Sequence, residues 1–456
     1  MKKKWKYFLK SLLYNEIDGY IIFDNQKIKK REIFNKIEEF STVLQTINVK
    51  TGAIVYISLP TGYPFLISFF GCLMIGAIPI LNSENKINET YLKADLNITQ
   101  NINTSDIYWV DNLNYVVNNN IKLKISKLKI KSSFFIHTSG STDKSKCIGI
   151  SYNNIAYNIK KHRFLKFKSH TLISTLPWTH IFGLFFDLFL ALEFKLDIYR
   201  LNKPEDIYLI PEIKNRSFQY YINGVPKFFE EIFLQDNGNI LSNVEGGVIG
   251  GAKISSDLAK SLEGSNFRVG YGQTEATPGI LMGEKGEFYP NYLGKKIGIN
   301  VKIKKSNLFF KGENAFRERI LQGKILSYKK NRWVNSNDIC KTINNKFFYI
   351  GRSDFSFKLK NGKMIYVEEL ESNVIKELRL IYPIQFGENN LLGIYLMIDK
   401  KEEMKKDLII NILPDYIKSE KIKIIFVSEW SKDSKGNLNR KKMIEDYLLA
   451  YKRQNN

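Results

Sequence analysis

A run of hydroxyl side chains lies between an apolar segment and several lysines in the stretch FFIHTSGSTDKSK. Hydroxyl and backbone N–H groups bind phosphate oxygens, and a lysine neutralises their charge. The stretch does not match the GxxxxGK[ST] pattern of P-loop ATPases, and a helix-capping turn uses the same residue types. The chemistry it favours is phosphate binding, with Lys146 as the cation and these loop residues as ligands: Thr138, Ser139, Gly140, Ser141 and Thr142.

A second stretch, YGQTEATP, combines an aromatic ring, a glycine, a hydroxyl and a carboxylate. Tyr271 can stack on a nucleobase, and Gly272 allows the backbone to come close to a ligand. Thr274 can contact a phosphate, and Glu275 offers the oxygen ligands that Mg²⁺ prefers. The set suits a magnesium–nucleotide complex, although Tyr271 taken alone fits a core aromatic equally well.

A carboxylate and a guanidinium follow two later apolar runs. Asp338 ends VNSND, where its carboxylate can accept hydrogen bonds from two ribose hydroxyls, and Arg352 in YIGRSD is a second candidate ribose contact. The alternatives are a capping aspartate and a surface ion pair.

Short apolar runs that end in Gly, Pro, Ser or Thr must position these groups. Such runs recur up to about residue 290 and are typical of doubly wound α/β sheets, whose functional residues collect at the carboxyl ends of strands. We therefore predict an α/β fold with a large N-terminal region, 1–351, that includes a β-rich subdomain at about 290–350. A small mobile α+β domain, 352–456, is predicted to follow.

Composition limits the classes of partner. The chain has 456 residues and a net charge of +23, which favours anionic partners, but lysine, asparagine and isoleucine are abundant throughout, as an AT-rich genome would produce. Basic residues form no long block interleaved with aromatics, so we predict no nucleic-acid partner. The cysteines and histidines lack disulfide and zinc spacings, which fits a cytoplasmic protein.

Two apolar segments resemble membrane or export signals. Lysines interrupt the first, MKKKWKYFLKSLL, which is better explained as an amphipathic first helix. The second, PFLISFFGCLMIGAIPIL, has about the minimum spanning length, but Gly76 and Pro79 interrupt it and a strand-like run precedes it. We predict a buried strand–helix–strand unit and no integral membrane segment.

The ordered motifs resemble those of the adenylate-forming ligase superfamily, which includes acyl- and aryl-CoA synthetases, fatty-acyl-AMP ligases, nonribosomal adenylation domains and beetle luciferases. The resemblance runs from about residue 54 to residue 442. TSGSTDKSK is similar to the family's TSGSTGxPKG, LPWTHIFGL to LPxxHxxG, and GGAKIS to its GGA segment. YGQTEATP matches YGxTE, NSND corresponds to TGD, and GRSDFSFK to GRxDDxIK.

The resemblance implies that a carboxylate attacks the α-phosphate of ATP, giving acyl-AMP and pyrophosphate, and that a thiol then displaces AMP. It assigns the phosphates to the hydroxyl loop and Lys146, and places Thr274 at the α-phosphate, Glu275 at Mg²⁺ and His180 near the carboxylate. It further implies that the small domain rotates about a hinge at Asp354. The residues implied to hold adenine and ribose are Gly251, Ala252, Tyr271, Asp338 and Arg352.

Two regions depart from the family pattern. Asp143, Ser145 and Cys147 replace the glycine, proline and glycine usual after the hydroxyl run, and Asp143 puts a negative charge beside the expected phosphates. In SKDSKGNLNRKK, Asn437 stands where the family has a catalytic lysine, and Lys435 lies two residues earlier as a candidate substitute. Losing one preorganised donor typically costs on the order of 10²–10³ in rate.

The stretch LPWTHIFGLFFDLFLAL is strongly apolar and aromatic, and an amino-acid-activating domain usually carries Asp where His180 falls. The expected substrate is therefore a fatty or aryl acid, bordered by Trp178, Phe182 and Gly250, unless the aromatic side chains are simply helix core. The acceptor is CoA or the phosphopantetheine thiol of an acidic carrier protein. The alternative function is a thiolation-only or nucleotide-binding regulatory protein, because of Asn437.

Overall fold

A computed structural model gives the structure of most of the chain. The described residues are 2–14, 19–82, 92–100, 106–111, 113–118, 129–138, 146–210, 213, 218–358, 364–368, 370–371, 385–389, 393–418, 422–431, 442–443 and 445–446.

The helices include the predicted amphipathic first helix and the predicted buried helix. In chain order they are α1 Lys2–Leu13, α2 Lys30–Thr46, α3 Tyr63–Ile75, α4 Tyr152–His162, α5 Ile181–Gly183, a π-helix Leu184–Leu190, α6 Ala191–Glu193, α7 Pro226–Asp236, α8 Ser256–Leu262, α9 Lys406–Ile412 and α10 Asp415–Lys418. Short 3₁₀ helices are Pro204–Leu209, Asn239–Asn243, Thr274–Ala276, Ser353–Phe355 and Lys400–Lys405.

Many of the strands coincide with the short apolar runs of the sequence, whereas others, such as β2 with the sequence QKIK, are largely polar. In chain order they are β1 Tyr20–Phe23, β2 Gln26–Lys29, β3 Ile54–Ser58, β4 Ile78–Leu81, β5 Leu96–Thr99, β6 Ile107–Trp109, β7 Tyr115–Val117, β8 Phe134–Thr138, β9 Lys146–Ile150, β10 Thr171–Ser174, β11 Asp197–Arg200, β12 Tyr220–Ile222, β13 Val244–Gly250, β14 Phe267–Gly272, β15 Gly279–Met282, β16 Tyr292–Lys296, β17 Asn300–Lys304, β18 Asn307–Lys311, β19 Glu318–Leu321, β20 Lys324–Ser327, β21 Val334–Ile343, β22 Lys346–Arg352, β23 Ser356–Lys358, β24 Met364–Tyr366, β25 Gln385–Asn389, β26 Gly393–Asp399 and β27 Ile422–Val427.

Two large sheets confirm the α/β prediction. The first has the order β20-β19-β9-β8-β4-β3-β5-β6-β7, with parallel pairing from β8 through β4, β3 and β5 to β6. In the second, the order β22-β16-β15-β14-β13-β12-β10-β11-β1-β2 has parallel strands from β14 to β1. The β-rich stretch at 290–350 does not form one sheet, because β19 pairs with β9 of the first sheet whereas β16 pairs with β15 of the second.

One hydrophobic core contains side chains of both sheets and of the helices α1 to α3. Every residue of α3 is buried, and the helix ends at Gly76, which is left-handed. Strands β3 and β4 flank α3 and pair in parallel, so the predicted strand–helix–strand unit is confirmed. Within the part of the chain that the structure describes, no helix is both long and apolar enough to cross a bilayer.

The chain divides into two compact units. The first comprises 1–302, 309–334 and 342–348, and the second comprises 303–308, 335–341 and 349–456. The second unit contains the β23–β24 pair and the three-stranded sheet β25-β26-β27. The boundary predicted between residues 351 and 352 and the hinge at Asp354 concern movement between catalytic states, and they stay predictions.

Candidate functional site

The antiparallel pair β8–β9 brings the two ends of the predicted phosphate loop together. Thr138 pairs with Lys146 across the strands, and its Oγ1 donates a hydrogen bond of 3.3 Å to the Lys146 carbonyl. The structure therefore fixes where the loop leaves and re-enters the first sheet. The remaining predicted loop ligands lie outside the described residues, and their role stays a prediction: Ser139, Gly140, Ser141 and Thr142.

Lys146 and Glu275 form an ion pair, although 129 residues separate them in the chain. The Lys146 Nζ atom lies 2.7 Å from Oε1 of Glu275, and the two side chains are 28% and 15% exposed. Lys146 begins β9, whereas Glu275 lies in the 3₁₀ turn after β14. The fold thus places a cation suited to phosphate beside a carboxylate suited to a metal ion, as a magnesium–phosphate complex requires.

The turn that carries Thr274 and Glu275 has a constrained backbone. A Cβ atom on Gly272 would lie 1.8 Å from the Pro278 carbonyl oxygen, so only glycine fits there. The Gln273 amide donates to the same carbonyl at 3.0 Å, which closes the loop, and the Phe316 amide donates to the Glu275 carbonyl at 2.9 Å. This backbone scaffold sets the direction of the Glu275 side chain.

The carboxyl ends of β13 and β14 carry the predicted adenine residues. Gly250 pairs with Gly270, and Tyr271 is half-buried one residue later. Gly251 has a φ of +82°, and its position for a Cβ atom lies 3.7 Å from the Phe182 ring. The predicted adenine segment and the predicted acid pocket therefore adjoin at Gly251, while Ala252 is exposed beside it.

The LPWTHIFG stretch forms the turn into the helix 181–193. Trp178 is fully buried, its Nε1 donates to Ser174 Oγ at 3.1 Å, and its ring packs near Phe65. Its ring therefore belongs to the core, and its predicted place in an acid pocket stays a prediction. His180 is half-buried, and its carbonyl accepts a hydrogen bond from the Leu184 amide at 2.9 Å.

A buried polar network lies under this turn, and the sequence analysis missed it. Asp187 on the π-helix is fully buried and accepts hydrogen bonds from Ser174 Oγ at 3.0 Å, the Leu176 amide at 3.1 Å and Asn223 Nδ2 at 2.9 Å. Burial raises the pKa of Asp187 to about 6, against these hydrogen bonds. A lone aspartate inside the apolar run FFDLFL was the available signal, since a buried carboxylate requires partners.

The same network ties the helix to the strands that end at the site. Asn223 also accepts a hydrogen bond from the Val248 amide at 2.9 Å, which links β13 to the segment after β12. Arg200 at the end of β11 donates to the Ser174 carbonyl at 2.7 Å, and burial lowers its pKa to about 10. A buried hydrogen-bond network of this kind favours one relative position of its elements.

A cavity of about 400 Å³ lies beside β13 and is lined in part by the strand residues Glu245 to Val248. Phe186 contributes to its wall and packs against Phe182, with the ring centroids 5.4 Å apart. The predicted pocket residues Trp178, Phe182 and Gly250 do not line it. Its aromatic, aliphatic and basic lining includes Phe164, Phe167, Phe186, Tyr221, Val248 and Arg268.

In the second unit, Arg352 bridges two carboxylates. Its NH1 lies 2.9 Å from Asp338 Oδ1 and its NH2 lies 2.7 Å from Asp354 Oδ2. Burial lowers the pKa of Arg352, but the two carboxylates raise it further, so the net shift is upward. The two predicted ribose residues are thus brought together, and the predicted hinge residue pairs with one of them. Lys435 and Asn437 lie outside the described residues.

Replacing His162 with glutamine is expected to weaken the acid sensitivity of the fold. Burial lowers the pKa of His162 to about 4, whereas the unfolded chain takes up the proton near pH 6.5. The unfolded state therefore binds more protons between these values, and the natural protein loses stability as pH falls through that window. Urea unfolding measures the free energy of unfolding at each pH. Between pH 7 and pH 5, we expect this free energy to fall by about 2 kcal/mol more in the natural protein than in His162→Gln.

Asp187 has the opposite effect on stability over part of this pH window. Its pKa is raised in the folded protein, so at this residue the folded state binds more protons than the unfolded state, and stability rises as pH falls. It is present in both proteins, so their difference isolates His162. An equal pH dependence of the two proteins would contradict the assignment of a neutral His162.

Residues 107–308 match the model of the family described as AMP-binding enzyme. The chain is 24% identical over 349 residues to a long-chain-fatty-acid–CoA ligase of Haemophilus influenzae, a match that covers 69% of this chain and 62% of the relative. It is also 24% identical over 355 residues to luciferin 4-monooxygenase of Photinus pyralis, covering 70% and 64%. The chain thus spans less than two thirds of these curated relatives.

The fold is similar to that of solved adenylate-forming enzymes. O-succinylbenzoate coenzyme A synthetase from Bacillus subtilis, in complex with ATP and magnesium ion, superposes with a TM-score of 0.75 at 16% identity, covering 96% of this chain and 98% of that one. The family match over residues 107–308, the curated relatives and this fold agree with the motif order, and together they support the resemblance to the adenylate-forming ligase superfamily.

Proposed function

We propose that the protein activates a fatty or aryl carboxylic acid with ATP and transfers the acyl group to a thiol. A carboxylate oxygen bonds to the α-phosphorus, the bond to the β-phosphate breaks, and pyrophosphate leaves. The sulfur of CoA, or of the phosphopantetheine of a carrier protein, then bonds to the acyl carbon and AMP leaves. The observation that carries the proposal is the 2.7 Å pair of Lys146 and Glu275.

This pair suggests how the chain handles phosphate charge. Lys146, with Thr138 and the loop beyond it, binds the phosphates of ATP, and Thr274 contacts the α-phosphate. A bound Mg²⁺ supplies charge neutralisation at the phosphates. The donors fit this ion, because Mg²⁺ usually takes one or two carboxylates together with phosphate and water, so Glu275 suffices. The described residues contain no cluster of three or more metal-ligating side chains, and this mode of binding needs none.

The remaining roles follow the strand ends and the second unit. Tyr271, Gly251 and Ala252 border adenine, and Asp338 with Arg352 binds the ribose hydroxyls. His180 lies near the acid carboxylate, and Phe182 with Gly250 borders its chain. The adjoining positions of Gly251 and Phe182 support a substrate that joins adenylate to an apolar acyl group.

The test is carboxylate-dependent ATP–pyrophosphate exchange over acids from acetate to palmitate and over benzoates. Exchange with one acid class supports adenylation and identifies that class, and subsequent thioester formation distinguishes CoA from a carrier protein. Absence of exchange with retained ATP binding favours the alternative, a thiolation-only or regulatory protein, for which Asn437 is the specific observation.

Replacing Asp338 with asparagine is expected to raise the KM for ATP. The Asp338 carboxylate lies 2.9 Å from Arg352 and is also the proposed acceptor for the ribose hydroxyls. The substitution removes the negative charge on which both interactions depend. Hydrogen bonds to charged groups contribute about 1.5–3 kcal/mol, so we expect a rise of roughly 10- to 100-fold. Initial-rate kinetics at varied ATP measure it.

The matched control is Asp407→Asn on α9, where the side chain is exposed. It should leave the KM for ATP unchanged. An unchanged KM in Asp338→Asn as well would remove Asp338 from the proposed ribose site.

A further inference from the structure

The backbone directly after Glu275 is strained. Thr277 has a φ of +56°, in the left-handed region. A β-branched residue there is an outlier that costs on the order of 1–3 kcal/mol and persists only where its surroundings enforce it. Because Thr277 lies two residues after Glu275, whatever holds this conformation also sets the position of the Glu275 carboxylate.

The enforcing groups are buried side-chain amides. The Nδ2 group of Asn158 donates to the carbonyl of Ala276 at 3.1 Å and also to the carbonyl of Thr277. On the other side, Thr277 Oγ1 donates to the Asn314 carbonyl at 3.0 Å, and Asn314 Nδ2 donates to the Gly279 carbonyl at 3.1 Å. Asn158, Thr277 and Asn314 are all fully buried, so water does not replace these bonds.

Asn158 is also connected closely to Lys146. It lies on α4, and Ser151 alone separates α4 from β9, which begins at Lys146. The Ser151 amide donates to Asn154 Oδ1 at 2.8 Å and the Asn154 amide donates to Ser151 Oγ at 3.3 Å, a reciprocal cap that fixes the start of α4. The continuous segment from β9 to α4 therefore contains Lys146, the proposed phosphate ligand. Through Asn158 it also forms hydrogen bonds to the loop that follows Glu275, the proposed metal ligand.

We propose that Asn158 is a positioning residue that clamps the carbonyls of Ala276 and Thr277 and thereby holds Glu275 beside Lys146. The inference rests on the proposed function of Glu275. Without the amide, two buried carbonyl groups lose their donor and the Thr277 backbone relaxes toward an unstrained conformation. The Glu275 carboxylate then loses its fixed distance to Lys146, and magnesium–nucleotide binding weakens while the fold persists.

The test compares Asn158→Ala with the natural protein at varied Mg²⁺. The first readout is the Mg²⁺ concentration that gives half-maximal exchange. The second is the Mg²⁺ concentration that gives half-maximal ATP binding, measured by calorimetry. The KM for the acid and Tm are measured as well. Outer partners of metal ligands typically change metal affinity by about 10- to 100-fold, so we expect half-saturation to rise at least about tenfold with an unchanged KM for the acid.

Ser68→Ala is the matched control for lost stability. Ser68 lies on α3, remote in sequence from the loop, and its Oγ accepts a buried hydrogen bond of 2.9 Å from Trp109 Nε1. Loss of this bond should lower Tm without changing the Mg²⁺ dependence. If Asn158→Ala does not fold, Asn158→Leu replaces it, because leucine keeps the branched side-chain shape and removes the Nδ2 donor to the Ala276 and Thr277 carbonyls. It should shift half-saturation in the same direction.

Four outcomes are decisive. An unchanged Mg²⁺ dependence in folded Asn158→Ala, or in Asn158→Leu where that variant is used, overturns the inference and leaves the proposed function intact. An equal shift in Ser68→Ala also overturns it, because general destabilisation would then be the cause. If the natural protein binds magnesium–ATP without exchange, the calorimetric comparison still decides the role of Asn158. If it shows no Mg²⁺-dependent ATP binding, both the inference and the proposed function fail.

Discussion

Glu275→Gln is expected to lower carboxylate-dependent ATP–pyrophosphate exchange by about 10²–10³-fold. The side chain keeps its shape, so the 3₁₀ turn and its hydrogen bond from Phe316 to the backbone carbonyl remain. The substitution removes the negative charge of the carboxylate, which lies 2.7 Å from Lys146. We propose this carboxylate as the Mg²⁺ ligand. Exchange rates at saturating acid, with Mg²⁺ varied, measure the effect.

Glu284→Gln provides the matched control, since it makes the same chemical change at an exposed glutamate in the same unit. It should retain exchange. If Glu275→Gln keeps more than about a tenth of the natural rate at saturating Mg²⁺, the metal role of Glu275 is wrong and the Lys146–Glu275 pair is structural.

Asn437→Lys is expected to raise exchange by about 10²–10³-fold. The substitution restores an ammonium where SKDSKGNLNRKK resembles the family's lysine motif, and a cation stabilises the charge that develops as the acid attacks the α-phosphate. An amide cannot carry that charge. Exchange by the two proteins over the same panel of acids measures the gain.

Asn439→Lys is the matched control, because it adds the same charge two residues away in the same segment. A gain confined to Asn437→Lys places the missing cation at that position. If the natural protein is already active and Asn437→Lys adds nothing, Lys435 supplies the cation, and Lys435→Ala should then abolish exchange. Silence of both proteins would support binding or thiolation alone.

Several features of the fold were predictable from local patterns. The apolar run that ends at Thr138 forms strand β8, and the run after Thr61 forms the buried helix α3, whereas Asp338 lies inside β21 and does not follow a strand as expected. Local patterns suffice for these elements because apolar periodicity and flanking Gly or Pro residues act within a few residues of one another. The motif order, which is also a property of the linear chain, was enough to predict the superfamily.

Other features depend on contacts between distant segments. By residue type alone, Trp178 could line a pocket or pack in the core. In the structure its ring is fully buried, and its indole N–H donates a hydrogen bond to Ser174. The strands of the β-rich stretch at 290–350 separate, with β19 against β9 and β16 against β15. Sequence patterns specify strands but not their partners, because pairing is decided by burial and by the course of the connections.

The sequence by itself determined which chemical groups are available: a hydroxyl loop with Lys146, a carboxylate at Glu275, an Asp338–Arg352 set, and an asparagine at position 437. Only the tertiary structure decided that Lys146 and Glu275 meet at 2.7 Å and that the buried amide of Asn158 grips the strained turn behind Glu275. The physical reason is that residue types are local, whereas distances of a few ångströms across 129 residues arise from sheet order, buried hydrogen bonds and shared packing.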